Sequence, residues 1–332
     1  MAPDGRILYS VYRHFGTKLY DLEHDDIWLQ EAGGKRRRLL EGQKFNRGSQ
    51  PFSYMVDSLR WSPNGRLILA QLFTTTVVDD SGKTQDATMT LLLDDTGKEI
   101  RIAGRDSVIP GAANASWLPD NATILYLAEA VKPRVLFSIK STRPATGSLV
   151  SFHEGRTFLD VAWINKANFA IAVEQDYART GPSRLQRLEL LSDEDKELAT
   201  LDGYAGGLSV SPSAKKVAYF LDNEILEVRD LTSPNQFVRV RIGLGVFRWA
   251  PDESRILLKR SLEKKSGDLV WIDLPPLTSY PAGHEIPVSQ PLPHSVLHGL
   301  TYRDFAISPD GLSLAVVAPG KRNLLVFPLP PR

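Results

Sequence analysis

Asp304-Phe305-Ala306-Ile307-Ser308-Pro309-Asp310-Gly311 runs into Leu312-Ser313-Leu314-Ala315-Val316-Val317, and this stretch decides the fold. It reads as an apolar strand, a tight turn and a second apolar strand. Proline fixes φ at the first corner of the turn, and aspartate with glycine suits the positions after it. The same phrase returns as Asp57-Ser58-Leu59-Arg60-Trp61-Ser62-Pro63-Asn64-Gly65, as Ala115-Ser116-Trp117-Leu118-Pro119-Asp120 and as Phe247-Arg248-Trp249-Ala250-Pro251-Asp252. Leu208-Ser209-Val210-Ser211-Pro212 keeps the proline, and Asp160-Val161-Ala162-Trp163-Ile164-Asn165 replaces it with asparagine. Ala2-Pro3-Asp4-Gly5 carries the turn without the strand before it.

The anchors are therefore Pro3, Pro63, Pro119, Asn165, Pro212, Pro251 and Pro309, spaced 39 to 60 residues apart. Strands throughout, at a period of roughly 40 to 50, are the pattern of a β-propeller with one four-stranded blade per repeat. Uneven spacing means loop insertions, which cost little closure entropy. The flanking segments are rich in Val, Ile, Leu and aromatic residues, as buried pleated strands require. No segment holds a helical period beyond two turns. The expected fold is all-β: a single β-propeller, residues 1–332, of four-stranded antiparallel blades. Seven blades are expected near 1–42, 57–103, 114–152, 160–201, 206–242, 246–298 and 303–328. Six remain an alternative if residues 1–42 decorate the outside. The Pro-rich stretch 274–293 is expected as an extended surface loop, because proline donates nothing to a ladder.

Those turns, with later aromatic strands such as Asp25-Asp26-Ile27-Trp28-Leu29 and Asp268-Leu269-Val270-Trp271-Ile272-Asp273, resemble the TolB-type, WD-like β-propeller repeat over nearly the whole chain. The resemblance implies a bacterial protein of envelope or sensory context, with a periplasmic or extracytoplasmic place. It is nearly silent on function, since such repeats serve many roles. They also occur in propellers that precede serine-peptidase domains, but no Gly-x-Ser-x-Gly elbow occurs here.

Composition narrows the classes. The chain has 332 residues, 42% hydrophobic and 24% charged, as in ordinary globular proteins. A net charge of +1 gives no global field toward nucleic acid. With no cysteine there is no disulfide, thiol nucleophile or thiolate metal site. No apolar run approaches the ~18 residues of a membrane span. No signal peptide is present, yet the chain begins inside a repeat, so an upstream segment is expected in the native protein. A monomer is expected.

Each chemical candidate has a bland competitor. Trp61, Trp117, Trp163 and Trp249 share one repeat position, where Val210 and Ile307 also stand. Apolar substitutes favour packing between blades over an aromatic binding site. The opposite face of the first strand carries Arg60, Asp160, Arg248 and Asp304, facing the axis. Those charges either pair between blades or form a channel-mouth site for a polar or anionic ligand. The acidic run Asp21 to Asp26 lacks calcium-loop spacing and reads as a solvated loop. Ser192 to Lys196 reads as a polar turn. His294 and His298 would lie about 13 Å apart on a strand, too far to share a metal. No metal and no cofactor is expected. Lys35 to Arg38 lacks interleaved aromatics and reads as an outer strand whose charge discourages association.

The leading expectation is a non-catalytic propeller that binds a protein or peptide partner through loops at one end, with no nucleic acid and no membrane span. The loops are Gln50 to Val56, Thr74 to Asp86, Gln175 to Pro182 and Leu300 to Arg303, with Tyr54, Tyr177, Tyr204 and Tyr302 in or beside them. Tyrosine is frequent at interface hot spots. The alternative is a small-molecule sensor, or an enzyme such as a hydrolase or lyase, using Arg60, Asp160, Arg248 and Asp304.

Overall fold

The computed structural model describes residues 4–16, 21–45, 52–77, 83–131, 136–164, 168–175, 181–190, 192, 194–260, 269–288, 305–318 and 323–329. Among these residues the chain is all-β, with short 3-10 turns and no α-helix. None of it contains a helix long and apolar enough to cross a membrane. It forms two compact units.

The first unit holds residues 1–129, 139–152 and 319–324. Ile7–Val11, Asp26–Gln30 and Arg36–Leu40 make a three-stranded sheet. Phe52–Trp61, Leu67–Val77, Thr84–Asp94 and Val108–Pro110 make a four-stranded antiparallel one. The repeat's turn closes as its residues dictate. Gly65 N donates to Ser62 O at 2.8 Å, and Asn64 Oδ1 accepts from Arg66 N at 3.1 Å. The residue two after the proline is left-handed in every described copy with proline: Gly5, Gly65, Asn121, Ala214, Glu253 and Gly311. Ala214 and Glu253 hold that conformation at φ 58° and 57° without glycine. The turn geometry thus outlasts the residue that favours it, at a cost of roughly 1–2 kcal/mol each.

The second unit holds residues 130–138, 153–318 and 325–332. The fourth repeat pairs Phe158–Trp163, Phe169–Glu174, Ser183–Glu189 and Lys196–Leu201 in order. The fifth pairs Ala205–Val210, Lys216–Leu221, Ile225–Asp230 and Phe237–Arg241. The sixth shows three paired strands, Gly245–Trp249, Arg255–Arg260 and Leu269–Asp273.

Three of the four shared tryptophans lie in cores that join successive sheets. Trp61 is 9% exposed and clusters with Ile27 and Leu29 of the first repeat. Trp117 is 1% exposed and clusters with Leu69 and Leu92 of the second. Trp249 packs with Phe220 and Val228 of the fifth. Trp163 is half-buried.

Several expectations need correction. The Pro-rich stretch, where described, is mostly exposed, as a surface loop is, but it is also docked. His284–Glu285 adds a parallel strand to Phe237–Arg241, with Gly283 N donating to Phe237 O and Ile286 N to Arg239 O, both at 2.9 Å. The proline-free run between Pro281 and Pro287 supplies those donors, and Leu277 and Ile286 enter the core. The loop expected at Thr74 to Asp86 is mostly ladder, paired out to Val77 and Thr84. Its Thr-Thr-Thr-Val run is β-branched and prefers the pleat. The acidic run is not solvated at its end: Asp25 and Asp26 are 0% and 1% exposed. Asp26 accepts from Arg13 Nε at 2.8 Å and Gly42 N at 2.9 Å, while Asp25 accepts from Val56 N at 2.9 Å. The basic run does form an outer strand, Arg36–Leu40 at the edge of its sheet, and its side chains are engaged within the unit, Arg36 on Leu324 O, Arg37 on Glu31 and Arg38 on Glu41.

Candidate functional site

Bulges interrupt the first strand of four repeats, close to Arg60 and Asp160 of the charged stripe. The register slips between Val56 and Ser58, Ala113 and Ser116, Phe158 and Asp160, and Gly206 and Ser209. A bulge takes a residue out of the ladder and re-aims its neighbours. The freed backbone donors find side chains from the preceding repeat. Asp160 Oδ2 accepts from Leu208 N at 2.9 Å, and its Oδ1 from Val161 N at 2.8 Å. Gln71 Oε1 accepts from Asn114 N at 2.6 Å. Arg60 donates to Asn114 Oδ1 at 2.6 Å. Arg248 donates to Phe247 O at 2.8 Å and stacks 5.7 Å from the Phe305 ring centre. Asp304 lies outside the described residues, as do Tyr177 and Tyr302.

Of the tyrosines named from sequence, Tyr54 belongs to the core. It is 1% exposed, donates to Asp25 O at 2.7 Å and sits edge-on to Phe45. The strand Phe52–Trp61 begins earlier than the repeat suggests, so the pleat turns Tyr54 inward. Burial, then the nearby Asp25 and Asp26 carboxylates, pushes its phenol far above the ordinary range. It is no docking residue in this conformation.

Tyr204 is the opposite case, 47% exposed. It lines a groove of about 270 Å³ with Leu159, Gln175, Gly181, Pro182, Ser183, Leu201 and Gly203. Both described ends of the Gln175 to Pro182 loop thus meet Tyr204, as the fourth repeat hands over to the fifth. Gln175 closes that loop on itself: its Nε2 donates to Gly181 O at 2.8 Å and its Oε1 accepts from Ser183 Oγ at 2.7 Å. Beside Tyr204, Leu221 to Glu224 form a tight hairpin with Asp222 and Asn223 both left-handed. Asp222 Oδ1 accepts from Tyr204 N at 2.9 Å. Gly203 holds φ 143°, a conformation that favours glycine, and a β-carbon there would press on the Asp222 carboxylate at 2.5 Å.

Two polar networks nearby were not legible in the sequence. In the fourth repeat Arg156 grips Glu174 with Nε at 2.8 Å and Nη2 at 2.9 Å, and also donates to Asp195. His153 Nδ1 lies 3.0 Å from the same Asp195. The hydrogen bonds from Arg156 hold the Glu174 carboxyl below its ordinary range against the opposing effect of burial. A depressed folded-state pKa stabilises the fold above the unfolded value, and that stabilisation fades as pH falls through the folded value. Glu174→Gln therefore lowers the urea midpoint at neutral pH, and the gap from wild type narrows as the pH drops below ~4. A gap that stays constant down to acid pH contradicts this assignment. In the fifth repeat, Glu227 is 0% exposed and accepts from Tyr219, Arg229 and Arg239.

No family model and no curated protein matches the chain in sequence. Solved structures do match it in fold. A chain of the mitotic checkpoint complex aligns with 97% of this chain and 87% of its own, at 14% identity and a TM-score of 0.59. The Cps50 (Swd1) β-propeller domain of Myceliophteria thermophila aligns over 97% of both chains, at 10% identity and a TM-score of 0.55. A prolyl endopeptidase aligns with 98% of this chain but 48% of its own, at 12% identity and a TM-score of 0.58. The chain has the fold of a β-propeller. Likeness at such identities carries the fold and no activity.

Proposed function

We propose that this chain is a non-catalytic binding module: a propeller of seven four-stranded, TolB-type blades that holds a protein or peptide partner through loops at one end of the ring. The observation that carries the reading is the groove where Tyr204 and the ends of the Gln175 to Pro182 loop come together. Rigid strands position it, and loops on a rigid scaffold are where recognition tends to sit. An exposed tyrosine over aliphatic side chains is an anchor of the kind that dominates interface energetics. The competing channel-mouth site needs two or more charged side chains of the stripe converging on a solvent-reached pocket. Arg60 meets an asparagine of the next repeat and Asp160 caps a bulge, contacts that also serve a structural role.

The test is affinity capture from native extract on the immobilised chain, beside Tyr204→Ala and an Arg60→Ala/Arg248→Ala double variant. A specific protein retained by wild type and the double variant, and lost with Tyr204→Ala, is the expected result. Retention that survives Tyr204→Ala and fails in the double variant assigns binding to the charged stripe instead. Retention by none of the three overturns the scaffold reading.

A further inference from the structure

The geometry points to the chemistry of the partner: a linear, lysine- or arginine-bearing peptide that sets one proline or aliphatic side chain against Tyr204. This rests on the peptide-binding reading above. Size comes first. At about 270 Å³ the groove lies just under the ~300–1,000 Å³ of drug-sized sites, a volume that one or two side chains fill. Its surface comes next. Leu159, Pro182, Leu201 and the Tyr204 ring present aliphatic and aromatic atoms, and no charged side chain stands among the described lining residues. The one polar side chain with an amide, Gln175, already has both ends engaged on Gly181 and Ser183. An apolar anchor therefore enters without stranding a polar group.

Charge at the rim then sets the flanks. Asp202 and Asp222 are both exposed, one adjoining Leu201 and Gly203 in sequence, the other bonded to Tyr204 N. Neither carboxylate has an ion-pair partner among the described residues. Arg184, next to the lining residue Ser183, lies 3.9 Å from Glu197. Among the described residues the rim thus offers two negative charges without an ion-pair partner beside an apolar seat. A basic flank on the ligand meets them, and an acidic one is repelled.

The experiment selects peptides from a displayed random dodecamer library on the immobilised full chain, then measures one selected synthetic peptide by fluorescence anisotropy at low and high salt. The variants are Tyr204→Ala, which removes an exposed side chain, and Asp202→Asn/Asp222→Asn, which keeps the shape and the Tyr204 contact. Enriched sequences are expected to pair Pro or Leu with Lys or Arg. Tyr204→Ala is expected to weaken binding about tenfold. The double variant is expected to weaken it several-fold at low salt and flatten the salt dependence. Acidic or neutral peptides that still need Tyr204 overturn the charge assignment and leave the peptide-binding reading standing. Peptides indifferent to Tyr204 remove the groove from the account. No enrichment at all counts against both.

Discussion

Glu227→Ala lowers the stability of the chain by about 3–5 kcal/mol, read as a fall in the urea midpoint. Glu227 is fully buried, and each carboxylate oxygen is occupied. Its Oε1 accepts from Tyr219 OH and from Arg229 Nη2 at 2.5 Å, and its Oε2 from Arg239 Nε at 2.9 Å. Arg229, itself 6% exposed, also donates to Pro234 O and lies 4.1 Å from the Phe237 ring centre. Removing the carboxylate leaves a buried guanidinium without its counter-charge and a phenol without its acceptor. Burial, then the Glu227 charge, pushes the Tyr219 phenol far above its ordinary range, so it remains a donor throughout the usual pH span. A triple variant, Tyr219→Phe/Glu227→Leu/Arg229→Met, removes the network together and is expected to cost much less, since well-packed apolar replacements of buried ion pairs are often near neutral. A triple variant as unstable as Glu227→Ala would mean that the loss lies in packing and not in stranded charge.

The second large effect is Trp117→Ala, at about 3–5 kcal/mol. The indole is 1% exposed and packs with Leu69 and Leu92 of the repeat before it, so the cavity opens between two sheets and not inside one. Its N–H has no acceptor among the described residues. Trp117→Phe is therefore expected to cost only about 1–2 kcal/mol, from lost volume. Trp163→Ala, at the same repeat position but half-buried, is expected to fall well below Trp117→Ala. Urea midpoints for the three variants check the order. Equal losses at both tryptophans would contradict the burial argument.

Periodic local chemistry explains what could be read in advance. Turn residues and apolar strands act over a few positions, so the Pro-Asp-Gly phrase and the tryptophan register announced themselves. The bulges did not. Nothing in Leu159 or Ala115 marks a lost ladder partner, and only Asn114 and Gly207, the left-handed residues there, hint at one. Asp25 and Asp26 looked like solvent-facing acids because the groups that satisfy them, Arg13, Gly42 and Val56, come from other segments. Tyr54 was misplaced by the start of one strand. Tyr204 lies between the strands Lys196–Leu201 and Ala205–Val210, but its meeting with Pro182 depends on how two repeats pack, which no local pattern encodes.

The parallel pairing of His284–Glu285 with Phe237–Arg241 has a mechanical meaning. The residues between, including all three described strands of the sixth repeat, form a closed bight of chain fastened at both ends to the fifth. Parallel strands anchored this way resist pulling in shear, where both bonds share the load, and not as a zipper that opens one bond at a time. Under tension the fifth and sixth repeats would then let go in a single step, whereas a chain with Gly283→Pro and Ile286→Pro, stripped of the two clasping donors, would release them as separate events.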